Sequence, residues 1–315
     1  MSKTLPFVIF FYISSFLLFL SSNHWFLLWI SVELTTLTFI PLMNDKSKTS
    51  IEAIVTYFLI QAISSILLIF GFLQNQILIK ESQIFNTCLI ALMVKLSVAP
   101  LHSWFPPIMA KMSTTPMTLL LTFQKLQPFL LLFLSNSKSK LFFLFVVATC
   151  VMGSVSNMMQ NNIKMILAYS SISHGGWLLM ALWTNKSIWI IYMFIYFVTI
   201  FLIWKMFIPN LTQAYYKSNM KSFWSVLMLS LAGMPPLIGF YPKMMIVSEM
   251  ASMTLFLMIC ILMMTATIDF FIYTRTFYMS FYNRTAQILW TNPLEEKSST
   301  LAFLMFGMLS VMVML

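Results

Sequence analysis

Apolar stretches of about 20 residues follow one another along almost the whole of this 315-residue chain, separated only by short polar breaks. A helix rises 1.5 Å per residue, so each such stretch is long enough to cross the ~30 Å hydrocarbon layer of a bilayer. Eleven occur, near 4–20, 24–43, 52–79, 84–111, 115–134, 140–159, 163–183, 187–208, 222–250, 253–281 and 299–315. Among them the breaks, such as Asn44 to Lys48, Thr184 to Lys186 and Asn283 to Ser299, are too short for a folded extramembrane domain. Composition agrees: 60% of residues are hydrophobic and 8% charged, against roughly 25% charged in soluble domains. The expected fold is therefore an all-α polytopic membrane protein, and its work is done inside the bilayer or against other membrane subunits.

Charge and residue usage narrow this further. The net charge of +10 is spread along the chain rather than gathered in one tract, which gives no footprint for nucleic acid. Cys88, Cys150 and Cys260 lie in apolar runs without metal-ligand spacing and read as small buried hydrophobes. With eleven spans the termini fall on opposite sides. Lys3, Lys46, Lys48, Lys111, Lys164, Lys217, Lys221, Arg284 and Lys297 mark the N-terminal side, against Lys80, Lys138, Lys140 and Lys186 on the other. The positive-inside rule then places the N-terminus on the matrix or cytoplasmic side. The 28 Met and 31 Phe against 7 Gly suit an AT-rich genome read with an extra Met codon, as in animal mitochondria. The apolar run Leu5 to Leu20 has no small-x-small cleavage pattern after it and reads as the first membrane helix rather than a signal peptide.

Two stretches are interrupted by proline. One contains Ala99-Pro100-Leu101-His102-Ser103-Trp104-Phe105-Pro106-Pro107, the other Gly233-Met234-Pro235-Pro236-Leu237-Ile238-Gly239-Phe240-Tyr241-Pro242. Proline removes a backbone donor and clashes with the preceding turn, so each run is expected to be two half-helices joined by unwound chain. The two breaks stand five spans apart. A repeat of five helices inserts in opposite orientations in its two copies, the inverted-repeat plan of many transporters. The expectation is one membrane domain over 1–315, with repeats over about 4–134 and 140–281 and a terminal helix at 299–315.

Charges within the spans carry the functional reading, since each costs about 2.5–3.5 kcal/mol at a helix centre on insertion scales. Glu33 lies near the middle of the second span, Lys95 just before the first proline break, Lys125 in the middle of the fifth span, and Lys243 directly after the second break. Lysine suits proton handling because low dielectric favours its neutral form and a nearby carboxylate its charged form. A static ion pair between Glu33 and Lys95 that fixes helix packing accounts equally well for those two residues alone. It does not account for three mid-membrane lysines beside two broken helices, which point to a proton or cation path. His174, beside Ser170, Ser171 and Ser173, is a possible relay, although a His held by a neighbouring hydroxyl fits as well. Asp269, Arg275 and Glu249 are supporting candidates. His24 and His102 sit at span boundaries and make no haem-ligand pair, and the chain has no phosphate loop, dinucleotide fingerprint or nucleophile elbow.

The residues from Lys95 to Pro106, the run Thr122-Phe123-Gln124-Lys125-Leu126-Gln127-Pro128, the run from Lys164 to His174 and the run from Gly233 to Lys243 together resemble the antiporter-like membrane subunits of respiratory complex I, NADH:ubiquinone oxidoreductase, which are related to multisubunit sodium/proton antiporters. The resemblance implies that Glu33 partners Lys95, that Lys125 is the connecting lysine of a central hydrophilic axis, and that Lys243 is the terminal lysine near the exit. It implies a core subunit of the mitochondrial inner membrane, with its N-terminus on the matrix side, that translocates protons while FMN, iron–sulfur clusters, NADH and ubiquinone are bound by other subunits. No cofactor or metal is expected on this chain. Neighbouring antiporter-like subunits, accessory subunits and lipids such as cardiolipin are the implied partners. The chain departs from the family pattern at Ser97, Phe123, Pro107 and Gln127, where Gly, Trp, an acidic residue and Ala are usual. Two other functions remain open at this point: a structural brace between neighbouring antiporter-like subunits, and a free-standing cation/proton antiporter.

Overall fold

The computed structural model describes residues 5–45, 47–77, 81–135, 140–207 and 218–285. The stretch at 299–315, expected as a terminal helix, lies outside the described residues. The described chain is helical: α1 (Leu5–Ser21), α2 (Trp25–Met43), α3 (Lys48–Ile77), α4 (Glu81–Lys95), α5 (Phe105–Lys111), α6 (Thr114–Leu121), α7 (Phe123–Ser135), α8 (Lys140–Met158), α9 (Ile163–Thr184), α10 (Lys186–Phe207), α11 (Ser218–Ala232), α12 (Phe240–Ser252) and α13 (Phe256–Thr285). Among the described residues seven segments, with α6 and α7 taken together, are long and apolar enough to cross a membrane. Three expected spans fall short of that length for visible reasons: α1 has 17 residues, and the two proline-bearing spans divide into α4–α5 and α11–α12.

Both breaks open in the same way. At the end of α4, Ser97 N donates to Val94 O and Val98 N to Met93 O; at the end of α11, Gly233 N donates to Ser230 O and Met234 N to Leu229 O. This i−3 and i−5 pair is the Schellman ending of a helix, and it needs a left-handed residue. Ser97 (φ 56°) and Gly233 (φ 83°) supply it. A turn follows at the same offset in each case, from Leu101 N to Val98 O and from Leu237 N to Met234 O, both 2.9 Å. The prolines do not all sit in the unwound chain: Pro106 and Pro107 open α5, where a missing N–H costs nothing. Gly239 lies so close to the last turn of α11 that a Cβ there would collide with the carbonyl oxygen of Ser230.

The helices group into two compact units, residues 1–153 with 160–176, and residues 154–159 with 177–315. In the first unit α1 packs on α2, α2 on α3, α3 on α4, and α7 on both α2 and α4. In the second, α13 lies along α11 and α12, and α10 packs against the same two half-helices. The buried interiors are not purely apolar. Hydroxyls of Ser15, Ser31, Ser64, Ser170, Ser173 and Thr199 each donate to a carbonyl one turn back in their own helix, which satisfies their donors without water. Large apolar side chains such as Phe10, Leu20, Phe194, Leu257 and Met264 face outwards, as expected of a surface turned to lipid or neighbouring subunits.

Candidate functional site: buried lysines beside broken helices

Lys95, Lys125 and Lys243 are all buried, with 6%, 4% and 6% of their surface exposed. Glu33, Lys95, Lys125 and His174 belong to the first unit and Lys243 to the second. Lys95 is the last residue of α4, at the mouth of the first break. Its ammonium nitrogen has no hydrogen-bond partner, nor does Glu33 Oε2. The two groups interact electrostatically, but they do not form the contact ion pair anticipated as one reading of the sequence. An exposed ion pair joins Lys111 and Glu52 at 2.7 Å.

Lys125 lies in the first turn of α7, three residues beyond Thr122, whose φ of −113° and ψ of −82° interrupt the helix between α6 and α7. Its Nζ donates to Ser171 O at 2.9 Å and sits 5.0 Å from the centre of the Phe105 ring, at the start of α5. The lysine therefore touches the far side of the first break and the middle of α9, one turn from buried His174. Its charge is met by a carbonyl dipole and a π face rather than by a carboxylate, a solvation that tolerates both the charged and the neutral amine.

Lys95 and Lys125 line one small cavity of about 10 Å³ together with Thr35, Tyr57, Gln61, Gln124 and Gln127. That volume is about what one water needs. Gln124 and Gln127 fall in a motif quoted from the sequence, whereas Thr35, Tyr57 and Gln61 were not singled out there. Tyr57 OH donates to Gln124 Oε1 at 3.2 Å, and Gln124 Nε2 donates to Tyr12 OH at 3.3 Å, so α7 is tied to α1 and α3. Thr35 Oγ1 is 2.7 Å from both Gln127 Oε1 and Val32 O, while Gln127 Nε2 has no partner. One hydroxyl proton serves only one acceptor. Turning the Gln127 amide over satisfies Thr35 fully and turns the carbonyl oxygen to where the unpartnered nitrogen stood. The signal for this network was present as glutamines and tyrosines at helical spacing, but apolar neighbours masked it.

In the second unit, Lys243 lies in the first turn of α12 and reaches back across the break. Its Nζ donates to Ala232 O at 2.9 Å and Leu231 O at 3.3 Å, the free carbonyls that end α11. It also lies 5.6 Å from the Trp177 ring and borders an apolar cavity of about 280 Å³. An ammonium at a helix C-terminus meets the negative end of the helix dipole, so the second break solvates Lys243 with its own backbone. Of the supporting candidates, Arg275 Nη1 donates to Met158 O at 2.9 Å, Glu249 Oε1 accepts from Asn185 at 3.5 Å, and Asp269 is buried.

The departures from the family pattern have visible settings. Ser97 occupies a left-handed position that glycine fills without strain, Phe123 meets the rings of Tyr12 and Phe16 edge-on, and Pro107 is exposed in the first turn of α5. Cys88 and Cys150 pack against Gly71 and Gly176, whereas Cys260, expected to be buried, lies on an exposed face. No group of His, Cys, Asp and Glu among the described residues is arranged to hold a metal.

Broken membrane helices with buried, carbonyl-solvated lysines define an ion-translocating membrane subunit of the antiporter type. Residues 22–80 and 73–269 match the model of the NADH:quinone oxidoreductase/Mrp antiporter transmembrane family. The chain belongs to that family. It is 32% identical over 311 residues to NADH-ubiquinone oxidoreductase chain 2 of Anopheles gambiae, covering 93% of this chain and 90% of the relative. It is 34% identical over 278 residues to the chain of the same name from Xenopus laevis, covering 82% and 81%. Among solved structures it is similar to a chain of respiratory complex I from Thermus thermophilus, with a TM-score of 0.76 at 20% identity, covering 97% of this chain and 76% of that one. It is also similar to a chain of the Mrp complex from Dietzia sp., with a TM-score of 0.74 at 15% identity over 85% and 58%.

Proposed function

We propose that this chain is a membrane-arm subunit of proton-translocating NADH:ubiquinone oxidoreductase that moves protons by changing the charge of Glu33, Lys95, Lys125 and Lys243 in turn, with His174 as a relay beside Lys125. NADH oxidation, flavin, iron–sulfur clusters and quinone reduction belong to other subunits and supply the energy. The carrying observation is the solvation of the lysines. A static structural lysine in a membrane would be locked to a carboxylate, because leaving one partner of a buried pair uncompensated costs several kcal/mol. Here Lys125 and Lys243 rest on backbone carbonyls and aromatic faces, and Lys95 has no hydrogen-bond partner while it lines a cavity with Lys125. Lys125 can lose its proton without leaving a bare carboxylate behind, and Lys95 can do so in step with the protonation of Glu33.

The mechanism follows from that arrangement. When Glu33 is ionised it favours the ammonium form of Lys95, and protonating or moving Glu33 releases the proton towards the cavity that Lys125 shares. The cavity has room for one water that accepts from Lys95 and donates to Lys125, the Gln127 carbonyl oxygen offers that water a second acceptor, and transfer to Lys125 leaves Lys95 neutral. The Schellman ending and the following turn repeat at both breaks, which supports reading 4–134 and 140–281 as inverted repeats within eleven spans, each repeat carrying its own break and buried lysine. The family and the animal relatives support a mitochondrial inner-membrane location, the positive-inside distribution an N-terminus on the matrix side, and the outward apolar faces a setting among neighbouring antiporter-like subunits, accessory subunits and lipids such as cardiolipin.

Replacing Lys243 with Ala separates pumping from bracing. In the assembled complex, pumping by this chain predicts fewer protons moved per NADH oxidised at unchanged complex abundance. Loss of assembly with a normal ratio in the remaining complex would show a brace instead.

A further inference from the structure

Two glutamines of α7 line the cavity between Lys95 and Lys125, and they are held differently. Gln124 is pinned at both ends of its amide. Its Oε1 accepts from Tyr57 OH at 3.2 Å, while its Nε2 donates to Tyr12 OH at 3.3 Å and Thr35 O at 3.4 Å. Gln127, three residues on and 2% exposed, is held at one end only. Its Oε1 lies 2.7 Å from Thr35 Oγ1 of α2, and its Nε2 has no partner. A buried amide with an idle donor calls for a reason.

Thr35 suits either orientation of that amide. A hydroxyl has one proton and two lone pairs, and this one lies 2.7 Å from Val32 O as well as from Gln127 Oε1. With the amide oxygen towards it, Thr35 donates to Gln127. With the amide turned over, Gln127 Nε2 donates to the hydroxyl, whose proton swings to Val32 O. Only rotations are needed, and no bond to hydrogen breaks. Turning the amide exchanges donor and acceptor on a side chain that lines the cavity. An acceptor favours a protonated group beside it and a donor disfavours one. Buried Lys95 and Lys125 are the basic groups on that cavity, and Lys95 Nζ has no hydrogen-bond partner.

We propose that Gln127 is a positioning residue that gates the step between Lys95 and Lys125. Its amide, pivoting on Thr35, admits a proton to the cavity with the oxygen turned in and repels one with the nitrogen turned in. Lysine charge and amide orientation then bias each other, because each orientation is favoured by a different charge state. This inference rests on the proton-translocation reading above. The test measures protons moved per NADH oxidised in the assembled complex carrying Gln127→Met, which keeps the side-chain length and removes both polar ends, with Lys125→Met as the control. Gln127→Met should lower the ratio to the level of Lys125→Met while electron transfer continues. A wild-type ratio in Gln127→Met beside a lowered ratio in Lys125→Met would overturn the inference and leave the function intact; wild-type ratios in both would overturn the function itself. The pivot separates gating from packing and decides if Gln127→Met does not assemble. Thr35→Val keeps the shape and removes the hydroxyl, whereas Thr35→Ser keeps the hydroxyl. The gate predicts a lowered ratio in the first and a wild-type ratio in the second. Equal ratios in the two, or a Thr35→Val chain that fails to assemble where Thr35→Ser succeeds, would overturn it in favour of a hydroxyl that only holds α2 to α7.

Discussion

At the scale of single residues, the breaks depend on two left-handed positions filled by different residue types. Gly233 at φ 83° also faces Lys243, and a Cβ added there would lie 3.1 Å from Lys243 Cδ and 3.3 Å from Nζ. Gly233→Ala should therefore destabilise the second break by about 1–2 kcal/mol, the usual cost of a left-handed non-glycine residue, and push the ammonium off its carbonyls. The measurement is thermal inactivation of the purified complex together with its proton ratio, and both should fall. Ser97 already bears the strain that Gly233 avoids. Ser97→Gly should raise the inactivation temperature by relieving about 1 kcal/mol, and an unchanged or lower temperature would show that the Ser97 hydroxyl holds the break. The four charged residues were legible in the sequence because each violates its apolar surroundings. The absence of a Glu33–Lys95 contact was not, since spacing along two helices does not fix the rotation of either.

At the scale of elements, apolar runs located the helices and prolines located both breaks, since each signal is local. The interruption at Thr122 was missed because its neighbours Leu119, Leu120, Leu121 and Phe123 keep the run apolar; Pro128, six residues on, was its nearest trace. The short half-helix α5 shows how an element is held from outside itself. Lys164 Nζ donates to Met112 O, just past the end of α5, at 2.6 Å, while Lys111 at its last position pairs with exposed Glu52. Capping a helix C-terminus with a cation offsets its free carbonyls and dipole, whereas exposed pairs contribute little. Lys164→Met should therefore reduce the yield of assembled complex and the proton ratio more than Glu52→Gln does. Equal effects would assign the hold on α5 to the surface pair.

At the scale of the whole molecule, hydropathy identified a polytopic helical protein, but not the grouping of its helices. The compact units divide inside α8 and α9, whereas the expected repeats divide between residues 134 and 140. Repeats are defined by chain order and units by packing, and sequence periodicity reports only the first. The family motifs cluster where chemistry requires particular residue types, at the two breaks and around Lys125 and His174; the Gln124 and Tyr57 network is built from residue types common in any helix. The central claim is that protons pass over this chain's own lysines. The most direct measurement is the number of protons translocated per NADH oxidised by the assembled complex carrying Lys125→Met. The account predicts a lowered ratio with the complex intact, and a wild-type ratio in that variant would contradict it.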